Sequence, residues 1–382
     1  MPFISPEGDL EKIFIDDYAI IDQHAMPGTL WSWGQNDEGQ LGDNTVVYKS
    51  SPVQTITGGT NWKQVAGSSG VTAAIKTDGT LWTWGPNSSG QLGTNDVISR
   101  SSPVQTIAGG TNWKQVSCGG SYVAAIKTDG TLWTWGWNYD GRLGTNDIID
   151  RSSPVQTIAG GANWKQVACG YRHSGAIKTD GTLWMWGSQT IDGSLHGVLG
   201  TNDTISRSSP VQTIAGGANW KQVACGYNHS GAIKTDGTLW MWGRGPFGGV
   251  GDNTNIDRSS PVQTIAGGTN WKQLSVGQNV SYAIKTDGTL WMWGYESATG
   301  GYHNIPVQLF YGTEWKEVSV SLRGHNVATK TDGTLWTWGQ NAYGQLGDNT
   351  TTTKSSPVQT IAAGTNWKHC CAGAYSSYAI RF

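Results

Sequence analysis

Charge is scarce in this chain. Only 14% of its 382 residues are Asp, Glu, Lys or Arg, and the net charge is −2. Lys and Arg form no cluster, so the basic footprint expected for DNA, RNA or an anionic membrane is missing. Phe and Met are scarce too, at five each, so the core must be built from something else. No apolar run approaches the roughly 20 residues of a membrane span. The opening residues lack the charged and apolar regions of a secretory signal. Five cysteines (Cys118, Cys169, Cys225, Cys370 and Cys371) are an odd number without paired spacing. That argues against a disulfide framework or a zinc site, and they read as reduced thiols. A phosphate-cradling G-x-x-x-x-G-K-S, an H-E-x-x-H pair and a Gly-x-Ser-x-Gly elbow are all missing. The expectation is a protein that is not an enzyme, with no cofactor and no metal site.

What is abundant is Gly (55) and Trp (22). Most Trp lies in seven copies of LWxWG, beginning at Leu30-Trp31-Ser32-Trp33-Gly34; six copies follow Asp-Gly-Thr. In a strand, alternate side chains share a face, so the two Trp of each copy lie together and Leu lies opposite. Neither face suits water, so each copy needs sheet packed on both sides. A closed ring of small sheets meets that need.

A full unit reads N-W-K-Q-V, A-I-K-T-D-G-T-L-W-x-W-G, a polar loop, then S-S-P-V-Q-T-I. It predicts four strands. The first holds Trp62 to Val65 and its equivalents, and the second ends in Ala-Ile-Lys-Thr. Asp-Gly then makes a tight hairpin turn of the primed kind into LWxWG. Pro-Val-Gln-Thr-Ile is the outer strand, with Pro at its start. The first LWxWG has no second strand before it, and the chain stops at a second strand with no LWxWG after it. Residues 28–56 and 366–382 therefore complete one shared unit. The fold expected for residues 28–382 is an all-β, seven-bladed β-propeller of four-stranded antiparallel blades, closed by this composite blade.

Residues 1–27 stand outside the repeat. Ile13-Phe14-Ile15 and Tyr18-Ala19-Ile20-Ile21 are two apolar clusters separated by Asp16-Asp17. Such an arm is a strap on the ring, a poorly ordered tail, or a docking peptide for another protein; Ile13, Phe14, Ile15, Tyr18, Ile20 and Ile21 are its candidate docking contacts. Variation between repeats concentrates in the loops after LWxWG, which should share one face of the ring. Trp137, Tyr139, Arg142, His196, Arg244, Phe247, Tyr295, Tyr302 and Tyr343 are the candidate binding residues there, suited to a protein or glycan. The alternative is drift in tolerant loops. Gly42 to Thr45 and Gly144 to Asp147 could offer oxygens to calcium, but lack the carboxylate spacing of a calcium loop and read as turns.

The D-G-T-L-W-x-W-G hairpin, with the G-x-N-x-x-G-Q-L-G after it at Gly34 to Gly42, Gly85 to Gly93 and Gly339 to Gly347, resembles the repeat of the regulator-of-chromosome-condensation family. That family is a seven-bladed propeller whose members include GTPase exchange factors, chromatin binders, ubiquitin-ligase modules, a UV-B photoreceptor and a β-lactamase inhibitor. Chromatin binding implies basic arms, which this chain lacks. The photoreceptor resemblance centres on Gly-Trp-Arg-His-Thr, and here Gly170-Tyr171-Arg172-His173-Ser174 puts Tyr in place of the absorbing Trp. His173, His229 and His325 are expected to hydrogen-bond within their own blades. The chain also resembles Trp-rich propeller proteins of tailed bacteriophages, through its near-identical repeats and the acidic-aromatic leader from Gly8 to Gln23. This resemblance implies a virion protein, made in the host cytoplasm. Its arm would dock on other virion proteins and its loops would face a host-surface protein or glycan, with no nucleic acid and no membrane insertion. A cellular interaction propeller, such as a small-GTPase regulator, is the alternative.

Overall fold

Alternation of Trp and Leu across one short strand forces sheet against sheet, and the chain answers with a ring. The computed structural model describes residues 28–57, 59–191, 193–297 and 300–382. The expected docking arm, including Ile13, Phe14, Ile15, Tyr18, Ile20 and Ile21, lies outside the described residues. Among the described residues there are seven four-stranded antiparallel sheets and a two-stranded ribbon, Thr190–Ile191 with Ser194–Leu195. The first complete blade runs Trp62–Gly67, Thr72–Lys76, Leu81–Gly85, Arg100–Gln105. The seventh blade is composite: Trp367–Ala372 and Ser376–Arg381 pair onward to Thr29–Gly34 and Lys49–Gln54. Trp31 lies opposite Ala379 in that register.

The first strand of every blade is innermost, packing on the first strands of the blades beside it. These strands are joined by a girdle of amides. Gln64 Nε2 donates to Val116 O (3.1 Å) while its Oε1 accepts from Val116 N–H (3.1 Å), so one side chain mimics a strand edge. Gln115 clamps Val167 in the same way, Gln166 clamps Val223, Gln222 clamps Leu274 and Gln273 clamps Val318. The seam at the composite blade differs. Glu317 accepts from Cys370 N–H (3.1 Å) and faces His369 Nδ1 (2.8 Å), while His369 Nε2 faces Val65 O (3.0 Å). Burial pulls His369 down, but Glu317 and Val65 outweigh it, and its pKa is raised. Both ring nitrogens face acceptors, as an imidazolium requires.

Each second Trp of LWxWG is buried and reaches back to the preceding blade. Trp84 Nε1 donates to Gln40 O (2.9 Å), Trp135 to Gln91 O (3.0 Å) and Trp33 to Gln345 O (2.8 Å). Gly93 must be glycine at that contact: it holds φ +67°, and a Cβ would sit 2.8 Å from the Trp135 indole nitrogen. The first Trp is half-buried at the rim. Trp82 Nε1 donates to Thr80 Oγ1 (2.9 Å), which in turn donates to Asp78 Oδ1 (2.7 Å). Lys76 Nζ sits 4.8 Å from the Trp62 ring and 4.6 Å from the Trp82 ring, a cation held between two indole faces. Trp135→Ala removes a fully buried ring and its hydrogen bond, and should cost about 3–5 kcal/mol. Urea unfolding checks this; a midpoint equal to the wild type would show that the ring is not core.

Two sequence expectations change. The hairpin is not a primed two-residue turn. Gly79 N–H donates to Lys76 O (2.9 Å) and Lys76 N–H to Thr80 O (3.0 Å), with Gly79 at φ +80° and Asp78 outside the left-handed region. This is a three-residue loop with a glycine bulge. Glycine is also needed there because a Cβ would lie 2.1 Å from Thr111 O of the next crossover. The outer strand is Arg-Ser-Ser-Pro-Val-Gln, not Pro-Val-Gln-Thr-Ile, so Pro lies inside it. Its register shifts between Arg100 and Val104, which leaves Pro103 without a ladder bond to supply. Thr106 then turns inward and Ile107 outward.

Candidate functional site

Hairpins of strands two and three lie at one end of the ring. The turns between strands one and two, and the long loops after LWxWG, lie at the other. All the loop residues singled out from sequence therefore share a face, but they are not equally available. Tyr139 is 69% exposed, Tyr302 42% and Tyr295 37%. Tyr295 packs on Phe247 (6.1 Å), Arg244 lies over Phe247 (4.8 Å), and Tyr302 donates to Asn255. Tyr343 touches both Tyr48 (5.5 Å) and Tyr375 (5.1 Å).

Arg142 and His196 are not surface contacts. Arg142 is fully buried; its guanidinium donates to Gly120 O (2.9 Å) and Tyr171 O (3.2 Å), pairs with Asp140 and lies 4.2 Å from the Trp137 ring centre. It stands where other blades have the Gln of G-Q-L-G, and its longer fork gathers backbone carbonyls from two blades. Trp137 is thereby half-buried as its lid. His196 is 7% exposed, with Nδ1 2.8 Å from Asp257 Oδ2, and ties the third blade's loop to the fourth's.

The Asn of G-x-N explains why these loops keep their shape. Buried Asn87 accepts from Leu92 N–H (2.9 Å) and donates to Asp96 O (3.0 Å). Asp96 Oδ1 accepts from Ile98 N–H (3.0 Å), and Arg100 pairs with Oδ2 at 2.8 Å. Burial raises the Asp96 pKa, but the Ile98 amide, Thr94 and Arg100 together leave it lowered. The Gly-Thr-Asn-Asp oxygens are thus engaged in turn formation. Asn95 takes φ +62° and its N–H donates to Ser152 O of the next blade.

His173, His229 and His325 correct the expectation of bonding within a blade: each reaches the next one. His173 Nε2 lies 2.7 Å from Ser230 Oγ, His229 Nε2 2.7 Å from Ser281 Oγ, and His325 Nε2 3.0 Å from Ser377 Oγ. Ser230 spends its proton on Val198 O (3.0 Å), so His173 is the donor. In the second blade Tyr122 takes this role, with its hydroxyl on His173 O (2.7 Å). The position holds His in three blades and Tyr in one, two ring donors of similar reach, and Val71, Val280 and Ser376 in the others.

Sequence reasoning overlooked the turns between strands one and two as a binding surface. These ring the axis. Tyr171 stacks on Tyr227 with centroids 4.2 Å apart and planes 14° from parallel. Arg323 reaches over both Tyr227 (6.0 Å) and Tyr375 (5.8 Å), linking blades four, six and seven across the channel mouth. Beneath lies a cavity of about 220 Å³, lined by inner-strand residues including Cys118, Cys169, Cys225 and Cys371, and by Leu322 from a turn. Nearer the rim, Tyr139, Asp140, Arg172, Ser188, Thr190 and Ser208 line an open groove of about 500 Å³. The available signal was Tyr171, Tyr227 and Tyr375 recurring two to four residues after Cys, in turns where other blades carry Ser69, Gly120, Gln278 or Leu322.

The sequence profile of the RCC1-like domain matches residues 23–302. This chain belongs to the RCC1-like domain family. Single regulator-of-chromosome-condensation repeats match residues 315–345 and 332–380. The RCC1-like chain is similar to the ultraviolet-B receptor UVR8 of Arabidopsis thaliana, at 32% identity over 271 residues, 69% of this chain and 60% of that one. It is similar to the E3 ubiquitin-protein ligase HERC2 of Homo sapiens, at 28% identity over 349 residues, 85% of this chain and 7% of that one. It therefore spans less than two thirds of either relative. Among solved structures, human WBSCR16 superposes with a TM-score of 0.81 at 20% identity, covering 93% of this chain and 98% of that one. Yeast RCC1 (Prp20), solved bound to Kap60, gives 0.80 at 18% identity, covering 99% and 96%. At these identities the structural likeness is one of fold.

Proposed function

We propose that this RCC1-like ring is a non-enzymatic binding protein whose loop face seats a folded protein partner. The group Tyr171, Tyr227, Arg323 and Tyr375 at the channel mouth carries the reading. These are half-buried Tyr and Arg side chains already ordered against one another, so little side-chain entropy remains to be lost when a partner covers them. Burial pushes the Cys169 thiol up to about 12 and that of Cys371 up to about 11, so both stay protonated at neutral pH and make poor nucleophiles. That supports binding over catalysis. The relatives named above belong to a plant and an animal, and this favours a cellular interaction role over placement in a virion.

Pull-down from a cell extract with the full chain, and with a Tyr227→Ala, Arg323→Glu double variant, tests the reading. Partner retention should drop by about tenfold or more in the variant, with its near-ultraviolet circular dichroism unchanged. Equal retention would place the binding surface elsewhere.

A further inference from the structure

The groove between the second and third blades carries chemistry that the channel-mouth reading does not use. Its wall on the second blade is the loop tip Tyr139-Asp140, where equivalent loops carry Asp37-Glu38, Ser88-Ser89 and Ala342-Tyr343. That tip is held against the third blade. Gly141, at φ +74°, packs on the outer strand so closely that a Cβ would lie 2.5 Å from Ser208 Cα. Asn146 N–H donates to Ser208 O (2.7 Å). On this braced wall the Tyr139 ring and Ile148 are both exposed, and both line the groove. The opposite wall is the base of the two-stranded ribbon on the third blade's loop. Ser188 N–H donates to Arg172 O (2.9 Å), tying that base to the turn that carries Arg172. Gln189 N–H donates to Ser206 Oγ (3.0 Å), so the Ser206 hydroxyl keeps its own proton to give.

The charges in the groove do not cancel. Buried Arg142 pairs with Asp140 and answers its carboxylate. Arg172 Nε stands 3.9 Å from the same carboxylate oxygen, beyond hydrogen-bond reach, and is buried with no hydrogen-bond partner among the described residues. Two guanidinium groups against one carboxylate leave one cation in excess, and Arg172 is the one that lines the groove. A bare inorganic anion would satisfy that cation and leave the Tyr139 ring unused. A neutral ligand would cover the ring and leave the cation unanswered. The ligand that meets both has an apolar face for the ring, hydroxyls for Ser206 and Ser208, and a planar carboxylate for the guanidinium fork. A six-membered sugar acid holds all of these on one rigid frame. The volume of about 500 Å³ is that of a small-molecule site, about 300–1,000 Å³.

We propose that this groove binds an acidic saccharide of the hexuronate class. Its carboxylate pairs with the Arg172 guanidinium, one face of the sugar ring lies on Tyr139, and its hydroxyls bond to Ser206 and Ser208. The site stands at the rim, away from Tyr227, Arg323 and Tyr375, and does not rest on the protein partner proposed for the channel mouth.

Binding of the full chain to a saccharide array tests it. The array presents oligosaccharides ending in glucuronate or galacturonate, their neutral glucose and galactose counterparts, and a poly-glutamate peptide. The chain should retain at least one hexuronate about tenfold or more above its neutral counterpart. Arg172→Gln should remove that preference and leave the neutral sugars unchanged, whereas Tyr139→Ala should weaken both. The Tyr227→Ala, Arg323→Glu variant should bind the hexuronate like the wild type. Near-ultraviolet circular dichroism checks that each variant keeps the fold. No preference for any hexuronate, a preference that survives Arg172→Gln in a folded chain, or a preference lost with Tyr227 and Arg323 would overturn the proposal. Tighter binding of poly-glutamate than of every hexuronate would overturn it too, in favour of an acidic peptide.

Discussion

Acidification from about pH 7 to about pH 5 should strip roughly 6 kcal/mol from this fold, about 2 kcal/mol for each of three histidines. His173, His229 and His325 are 0–1% exposed, and burial pulls each down to about 3. His229 and Arg142 add to the effect at His173. Among the described residues, Nδ1 of His173 and of His325 meets no acceptor, so a proton placed there would be a buried, unpaired charge. In the unfolded chain these rings titrate near 6.5. Between pH 6.5 and 3 the unfolded chain takes up protons that the folded chain refuses, so stability falls as pH falls. Above 6.5 the contribution is whole. His369 has the opposite sign: its folded pKa is raised, so its contribution is full below 6.5 and is lost as pH climbs past the folded value. On acidification from 7 its contribution therefore grows and offsets a small part of the loss. A loss near 6 kcal/mol is comparable to the total stability of an ordinary domain, about 5–15 kcal/mol. Urea unfolding near pH 7 and near pH 5 measures it. Gln at all three positions keeps a donor for the serines and should flatten most of the slope. Equal midpoints at the two pH values would show that these rings protonate in place.

Truncation after Tyr375 should abolish the native fold. The strand Ser376–Arg381 pairs with the inner strand on one side and with Thr29–Gly34 on the other, so its loss unpairs both chain ends at once. Tyr378, Ala379 and Ile380 are fully buried, and the Tyr378 hydroxyl accepts from Thr72 of the first blade (2.7 Å). Burial of Tyr378 and Ile380 alone is worth about 2–3 kcal/mol each. The exposed edges and the uncovered Trp33 and Trp62 bring the expected loss to on the order of 10 kcal/mol. The fitting control is a circular permutant opened between Gly109 and Gly110, with the old ends joined by a flexible linker. It should keep a cooperative melt. A truncated chain that melts like the wild type would mean that the composite blade does not hold the ring shut.

Much of this architecture was legible because it repeats. LWxWG in seven copies set the strand period, and the two half-units at the chain ends fixed the composite blade. What was not legible depends on contacts between repeats. Arg142 reads as a loop cation until the carbonyls of Gly120 and Tyr171 are seen converging on it. His196 depends on Asp257, 61 residues away. The histidines serve the following blade because strand two faces it, which a one-blade reading misses. The Gln column was visible in N-W-K-Q-V, but its two-way clamp appears only when the next backbone is in place. The outer strand was misplaced by three residues because Pro at a strand start is the usual rule, whereas here a register shift inside the strand absorbs it.

The Glu317–His369 pair has one more consequence. A chain of near-identical repeats could be threaded one unit out of step, since any Gln finds an equivalent valine or leucine backbone in the neighbouring repeat. A carboxylate can accept but not donate. Set against an ordinary repeat, Glu317 would meet an N–H but leave the adjoining carbonyl unanswered, with its own charge half-covered and no imidazolium in reach. His369 would likewise sit far from any anion at its post. One lock and one key among otherwise interchangeable links distinguish the correct lap of the chain from its miscounted neighbours.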